Sequence, residues 1–179
     1  SRFNQYCADW FEFQYRENKV YKEWVDLVYP GFHDPKTPQL IPALPIVFFK
    51  EARVICGEFE PEKVFESSGT TGMVTSRHQV KSLDLYERSF KAGFAHFFGD
   101  IQDWCVLALL PAYLERANSS LVYMADSLIR ASGHPDSGFY LYNYGELSQT
   151  IQKLEKAGQK TILLGVTFAL LDFSEAYPQ

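Results

Sequence analysis

Short apolar runs at 46–49, 53–56, 63–66, 104–110, 138–142 and 160–164 alternate with longer stretches of helical periodicity, and this order constrains the fold most. Runs of that length, bounded by turn residues, read as strands. The stretches Leu83–Phe98, Ser120–Arg130 and Glu146–Ala157 read as helices, with Ser82 and Ser119 placed to cap their N-termini and Gly158 placed to stop the last. Strands that alternate with helices pair in parallel, and the helices cover the faces of the sheet. The expected class is therefore α/β, a mostly parallel sheet with flanking helices.

A helical segment precedes this pattern. From about Tyr6 to Val28 the apolar residues Trp10, Phe13, Val20, Trp24 and Leu27 recur at helical spacing, and Pro30-Gly31 ends the run. Prolines at 30, 35, 38, 42 and 45 then exclude a regular helix and predict an extended connector. Two parts are expected: residues 1–45, helical with a proline-rich connector, and residues 46–179, the α/β part. With 46% hydrophobic and 16% aromatic residues, the 179-residue chain has the apolar material for a sizeable core.

Charge and cysteine usage narrow the partners. Seventeen basic against twenty-two acidic residues give a net charge of -5 with no basic run, so no nucleic-acid surface is expected. Cys7, Cys56 and Cys105 are odd in number and far apart, which fits a reduced cytoplasmic protein better than a disulfide framework. The apolar stretches fall short of the ~20 residues that span a bilayer, so no membrane span is expected.

The segment Phe65-Glu66-Ser67-Ser68-Gly69-Thr70-Thr71-Gly72 follows one of the strand-like runs directly, and Gln79-Val80-Lys81 reads as a second short strand, so the segment is expected in a strand-loop-strand turn and not at the start of a helix. Glycines at 69 and 72 open backbone angles that let several N–H groups converge on an anion, and four hydroxyls stand beside them. Polyphosphate binding is one reading; a plain surface turn is the other. The run has neither the length nor the lysine of the G-x-x-x-x-G-K-[ST] loop, and no G-x-G-x-x-G occurs in the chain.

Ser67 through Gly72 resemble the signature loop of the adenylate-forming superfamily, roughly [ST]-[ST]-G-[ST]-T-G-x-[PV]-K-G. Thr75 stands where most members carry lysine, as in the phenylacetate-CoA ligase branch, and Ser76-Arg77-His78 is similar to acyl-protein synthetases of the LuxE type. Phe13-Gln14-Tyr15, Val20-Tyr21, Ile41–Ile46, Phe49-Lys50 and Gly165-Val166-Thr167-Phe168 resemble further segments of that group, so the likeness runs nearly end to end.

The resemblance implies an N-terminal portion of an ATP-dependent acyl-activating enzyme. A fatty or aryl carboxylic acid would attack Mg-ATP to give an acyl-adenylate and pyrophosphate, and a thiol, on a protein cysteine or CoA, would take the acyl group. It implies ATP and Mg2+ as cofactors, with Ser67, Ser68, Gly69, Thr70, Thr71 and Gly72 holding the phosphates. Tyr113, Arg116 and Gly165 are weaker candidates for the acyl pocket, with a solvated Glu115/Arg116 pair as the alternative. Arg77 or His78 could supply the charge of the missing lysine. Tyr144-Gly145-Glu146 lacks the threonine of the family's adenine segment and reads as a helix cap, and His33, His96 and His134 suggest no metal site or triad. The family's later elements do not occur before Gln179, so this chain is expected to be inert alone and prone to pair through an open sheet edge into a homodimer. The alternative is a non-catalytic binding domain that keeps the fold.

Overall fold

A computed structural model describes residues 2–32, 35, 37–67, 75–110 and 118–178. The chain is mixed α/β, and it divides into two compact units, one ending at Ser82 and the other beginning at Leu83.

In the first unit the expected single helix is two, α1 (Arg2–Glu17) and α2 (Lys19–Val28). Asn18 makes the break. Its extended backbone leaves the helix, and its Oδ1 accepts the Tyr21 N–H at 3.1 Å, as an N-cap does. The turn lets Phe11 meet Tyr21 and Val25 in a small core, with Tyr15, Trp24, Phe32, Ile41 and Leu44 around it. Tyr21 reaches from there to the connector, donating its hydroxyl to the Pro42 carbonyl at 2.7 Å; burial pushes this phenol up to about 12.

The strands expected at 46–49 and 53–56 do not form. After Pro45 the chain closes local turns, Phe48 N–H to Pro45 O and Phe49 N–H to Ile46 O, and becomes the short helix α3 (Phe48–Glu51). Ile46 is 78% exposed, so its apolar run gains no burial that a strand would require. Cys56 and Gly57 dock on the end of α1 instead, while Arg53 donates to Gln79 Oε1 and to the Phe59 carbonyl. The Gly57 N–H donates to the Glu17 carbonyl at 2.8 Å and the Cys56 thiol to Gln14 Oε1 at 3.2 Å, which gives backbone and side chain to a helix end and not to a ladder.

The run at 63–66 does form a strand, β1 (Lys63–Glu66), but it pairs antiparallel with β2 (Arg77–Val80) in a two-stranded sheet of its own. The expectation that this strand belongs to the parallel sheet is thus corrected. Its hydrophobic content is small: Phe65 and Val80 are buried, on the face where Phe49 of α3 tilts over His78.

The second unit holds α4 (Leu83–Phe98), β3 (Cys105–Leu109), α5 (Ser120–Ser132), β4 (Gly138–Tyr140), α6 (Tyr144–Lys156), β5 (Thr161–Gly165) and α7 (Thr167–Ala176). Its three strands are parallel in the order β4-β3-β5. All five residues of β3 are buried, as the middle strand of a covered parallel sheet requires. Cys105, Leu107 and Leu109 face Leu147 and Leu154 of α6 and Ala169 and Phe173 of α7, while Ala108 and Leu110 face Ala125 of α5. Each such leucine contributes about 1.5–3 kcal/mol by leaving water.

Caps mark the helix ends. Ser119 Oγ accepts the Val122 N–H at the start of α5. Beyond α6, Gly158 (φ +66) donates to Glu155 O and Gln159 to Leu154 O, the paired bonds that close a helix through a left-handed residue.

Candidate functional site

The Ser/Thr/Gly run sits where β1 turns into β2, so it joins two antiparallel strands and does not lead into a helix. Ser67 is described; Ser68, Gly69, Thr70, Thr71 and Gly72 lie outside the described residues. The base of the turn is closed by two bonds beyond the last strand pair: Ser67 N–H donates to the Ser76 carbonyl, and Ser76 N–H donates to Ser67 Oγ, both at 3.0 Å. Ser67 is therefore a clamp as well as the first hydroxyl of the run. A base held in this way fixes where the intervening segment starts and ends, which is what a backbone nest needs in order to present its N–H groups together.

The two basic side chains next to the turn are already engaged. Arg77 Nε lies 3.5 Å from Glu66 Oε1 across the hairpin, and the exposed His78 leans on the Phe49 ring with centroids 6.3 Å apart. To carry the charge of the missing lysine, Arg77 would have to leave Glu66.

A second locus is the C-terminal edge of the parallel sheet. Leu109 and Gly165 are register partners at the ends of β3 and β5. From there α5 covers one face and α7 the other, so the chain parts in two directions between neighbouring strands, the place where open α/β sheets gather ligands. Tyr113 and Arg116 lie outside the described residues. Gly165 has a packing reason to be glycine: a Cβ there would stand 2.9 Å from Leu170 Cγ and 3.0 Å from the Leu109 carbonyl oxygen.

Tyr144-Gly145-Glu146 forms the first turn of α6. Asn143 precedes it, accepting the Leu141 N–H and donating to Glu146, but its side chain takes no N–H of the helix, so the segment opens a helix as expected without a side-chain capping bond.

A polar cluster that the sequence reading passed over gathers at the opposite end of the strands. Ser132 donates to the Trp104 carbonyl at 2.6 Å, Ser137 Oγ accepts the Val106 N–H, His134 Nδ1 accepts the Asp136 N–H, and Lys153 bonds both Asp136 oxygens. Serine, histidine and aspartate are close here, but the imidazole nitrogen is occupied by backbone and the serine points at a carbonyl. The cluster ties the end of α5 to the start of β4 and has no nucleophile and base in line. Their sequence spacing within one short turn was the available signal.

All three cysteines are free. Burial pushes the thiols of Cys56 and of the fully buried Cys105 up from the usual range, away from the thiolate form that acyl transfer requires. Among the described residues no group of His, Cys, Asp and Glu is arranged to hold a metal by itself. No described helix is long and apolar enough to cross a membrane.

Comparison of the chain with protein-family models, with curated proteins and with solved structures returns no match.

Proposed function

We propose that this chain is the N-terminal, phosphate-holding portion of an ATP-dependent acyl-activating enzyme of the adenylate-forming kind. Its reaction joins a fatty or aryl carboxylate to the α-phosphorus of ATP, expels pyrophosphate, and passes the acyl group to a thiol. The observation that carries the reading is the hairpin with its base clamped by Ser67 and Ser76, holding between its strands the run of hydroxyls and glycines that resembles the family's loop.

In this reading Ser67, Ser68, Gly69, Thr70, Thr71 and Gly72 surround the departing pyrophosphate. Donors fixed in advance around a leaving group that gains charge stabilise it most as it leaves. Magnesium, when bound with ATP, spreads the same charge. Tyr113, Arg116 and Gly165 belong to the acyl side in this reading, and of these Gly165 stands at the strand-end edge of the parallel sheet. The thiol acceptor in this reading is a protein cysteine or CoA, and the burial that raises the Cys56 and Cys105 thiols disfavours these two for the role. A second reading, a binding domain without catalysis, is favoured by Thr75 in place of the lysine and by the engagement of Arg77 with Glu66.

The test is pyrophosphate release by the full gene product over a panel of carboxylic acids, alongside the Gly72→Val variant. The expected outcome is acid-dependent release in the parent and at least a tenfold loss in the variant at an unchanged melting temperature, because the added side chain fills the approach of phosphate. If no acid supports release while pyrophosphate still shifts the amide resonances of Ser67 and Ser76, the binding reading replaces the enzymatic one.

A further inference from the structure

A strand composed like the middle of a sheet lies at its rim. β5 reads Thr161-Ile162-Leu163-Leu164-Gly165, without a charge, and contributes Leu163 to the core on one face of the sheet and Leu164 to the core on the other. Edge strands are ordinarily blunted by lysine, proline or a bulge. β5 has none of these, and its register with β3 runs unbroken from Thr161 to Gly165.

Its backbone has a definite polarity. The Cys105 N–H donates to the Lys160 carbonyl at 2.8 Å, and with the parallel register this sets the alternation along the strand. Lys160, Ile162 and Leu164 turn their N–H and C=O groups to β3, whereas Thr161, Leu163 and Gly165 turn theirs away. The other side of β3 agrees, for the Val106 N–H points to Ser137 beside β4. Among the described residues no strand lies beyond β5 to take the outward groups.

We infer that a second copy of this chain takes them, with the two β5 strands antiparallel about a two-fold axis through Leu163. In an antiparallel pair, residues that exchange both bonds alternate with residues that exchange none. With Leu163 opposite Leu163 of the second copy, Thr161 falls opposite Gly165, so every outward-facing residue lands at a bonded position. The segment is its own complement, which is the condition for an isologous interface. No charge opposes pairing at the axis, and Gly165 gives Thr161 room. Two three-stranded sheets become one continuous sheet in which β5 has neighbours on both sides. The inference does not depend on the proposed reaction.

Light scattering and amide exchange on the 179-residue chain over a concentration series test it. The expected result is a mass that rises to two chains, with the amides of Thr161, Leu163 and Gly165 becoming protected as it rises and those of Ile162 and Leu164 protected throughout. Leu163→Pro removes an outward N–H and no bond to β3. Thr161→Pro does the same at the first residue of the strand without touching the Leu163 packing, and decides the matter if the first variant fails to fold. Each folded variant should weaken association about tenfold or more. A single-chain mass at every concentration overturns the inference, as does a dimer in which the Leu163 amide exchanges equally fast at all concentrations, which would be joined elsewhere or by another kind of contact.

Discussion

The hairpin of the first unit and the parallel sheet of the second are both built from short apolar strands, yet different forces hold them. In the sheet, β3 is buried along its whole length between helices on both faces, so packing sets its geometry. Among the described residues of the hairpin only Phe65 and Val80 are buried, and shape is set locally by ladder bonds, the Glu66–Arg77 pair and the Ser67/Ser76 clamp. The first arrangement punishes a change of volume. The second tolerates one there, and spends its sequence on the turn. A ligand loop on such a hairpin can be altered in function without loss of fold, whereas the strand-end edge of the sheet cannot.

Gly165→Val should show the largest effect and tests the sheet side of this contrast. Added carbons would meet Leu170 and the Leu109 carbonyl, a backbone atom fixed in the ladder, so α7 must lift or β5 must shift. Overpacking of this kind costs about 1–3 kcal/mol. Urea unfolding should move its midpoint down, with the slope unchanged. A variant as stable as the parent would mean that the edge is looser than its packing implies, and would return Gly165 to a role set by substrate.

Ser67→Ala tests the hairpin side and should do less to stability. It deletes the acceptor of the Ser76 N–H, an exposed bond, and a lost bond of this sort costs about 0.5–1.5 kcal/mol at most. Under the proposed function it should nonetheless cut pyrophosphate release by the full gene product well beyond what that loss explains, through the loop's starting point. Equal small losses in stability and activity would reduce Ser67 to a structural clamp and erase the contrast between the two regions.

The same division of forces explains what could be read from the sequence. Where burial decides, pattern is enough: β1 and α4 have the expected bounds, and β3, β4, β5, α5 and α6 lie within two residues of theirs. Where a few local bonds decide, pattern misleads. Ile46 to Phe49 is apolar without being packed as a strand, and a proline followed by turn bonds makes it the start of α3. Cys56 serves the end of α1, a contact between positions 42 apart that no window can see. Asn18 was legible, being a preferred N-cap inside an otherwise continuous helical pattern, but the apolar spacing on both sides of it hid the break. For the candidate site, residue types and spacing located the turn and a strand after it, read at 79–81 where β2 runs from Arg77 to Val80, and the structure added the Ser67/Ser76 clamp and the engagement of Arg77, which depend on cross-strand partners.

Glu87→Gln is the smallest expected effect and sharpens the contrast from within the second unit, at a surface contact and not in the core. Glu87 on α4 accepts from Lys91 Nζ and from the Tyr123 hydroxyl of α5, both at 2.6 Å. The Lys91 bond first, then the Tyr123 bond, hold this carboxyl below its usual value. A depressed folded-state value means stability that is present above the unfolded value of about 4.3 and lost as pH falls through the lower folded one. Glutamine keeps an acceptor for Tyr123 and loses the charge, so the variant should be slightly less stable than the parent at neutral pH and no less stable once the parent carboxyl is protonated. Urea unfolding at neutral pH and again below the carboxylate range measures both. A difference that persists in acid would show that the contact acts through shape and hydrogen bonding alone, and that α4 is held to α5 without help from charge.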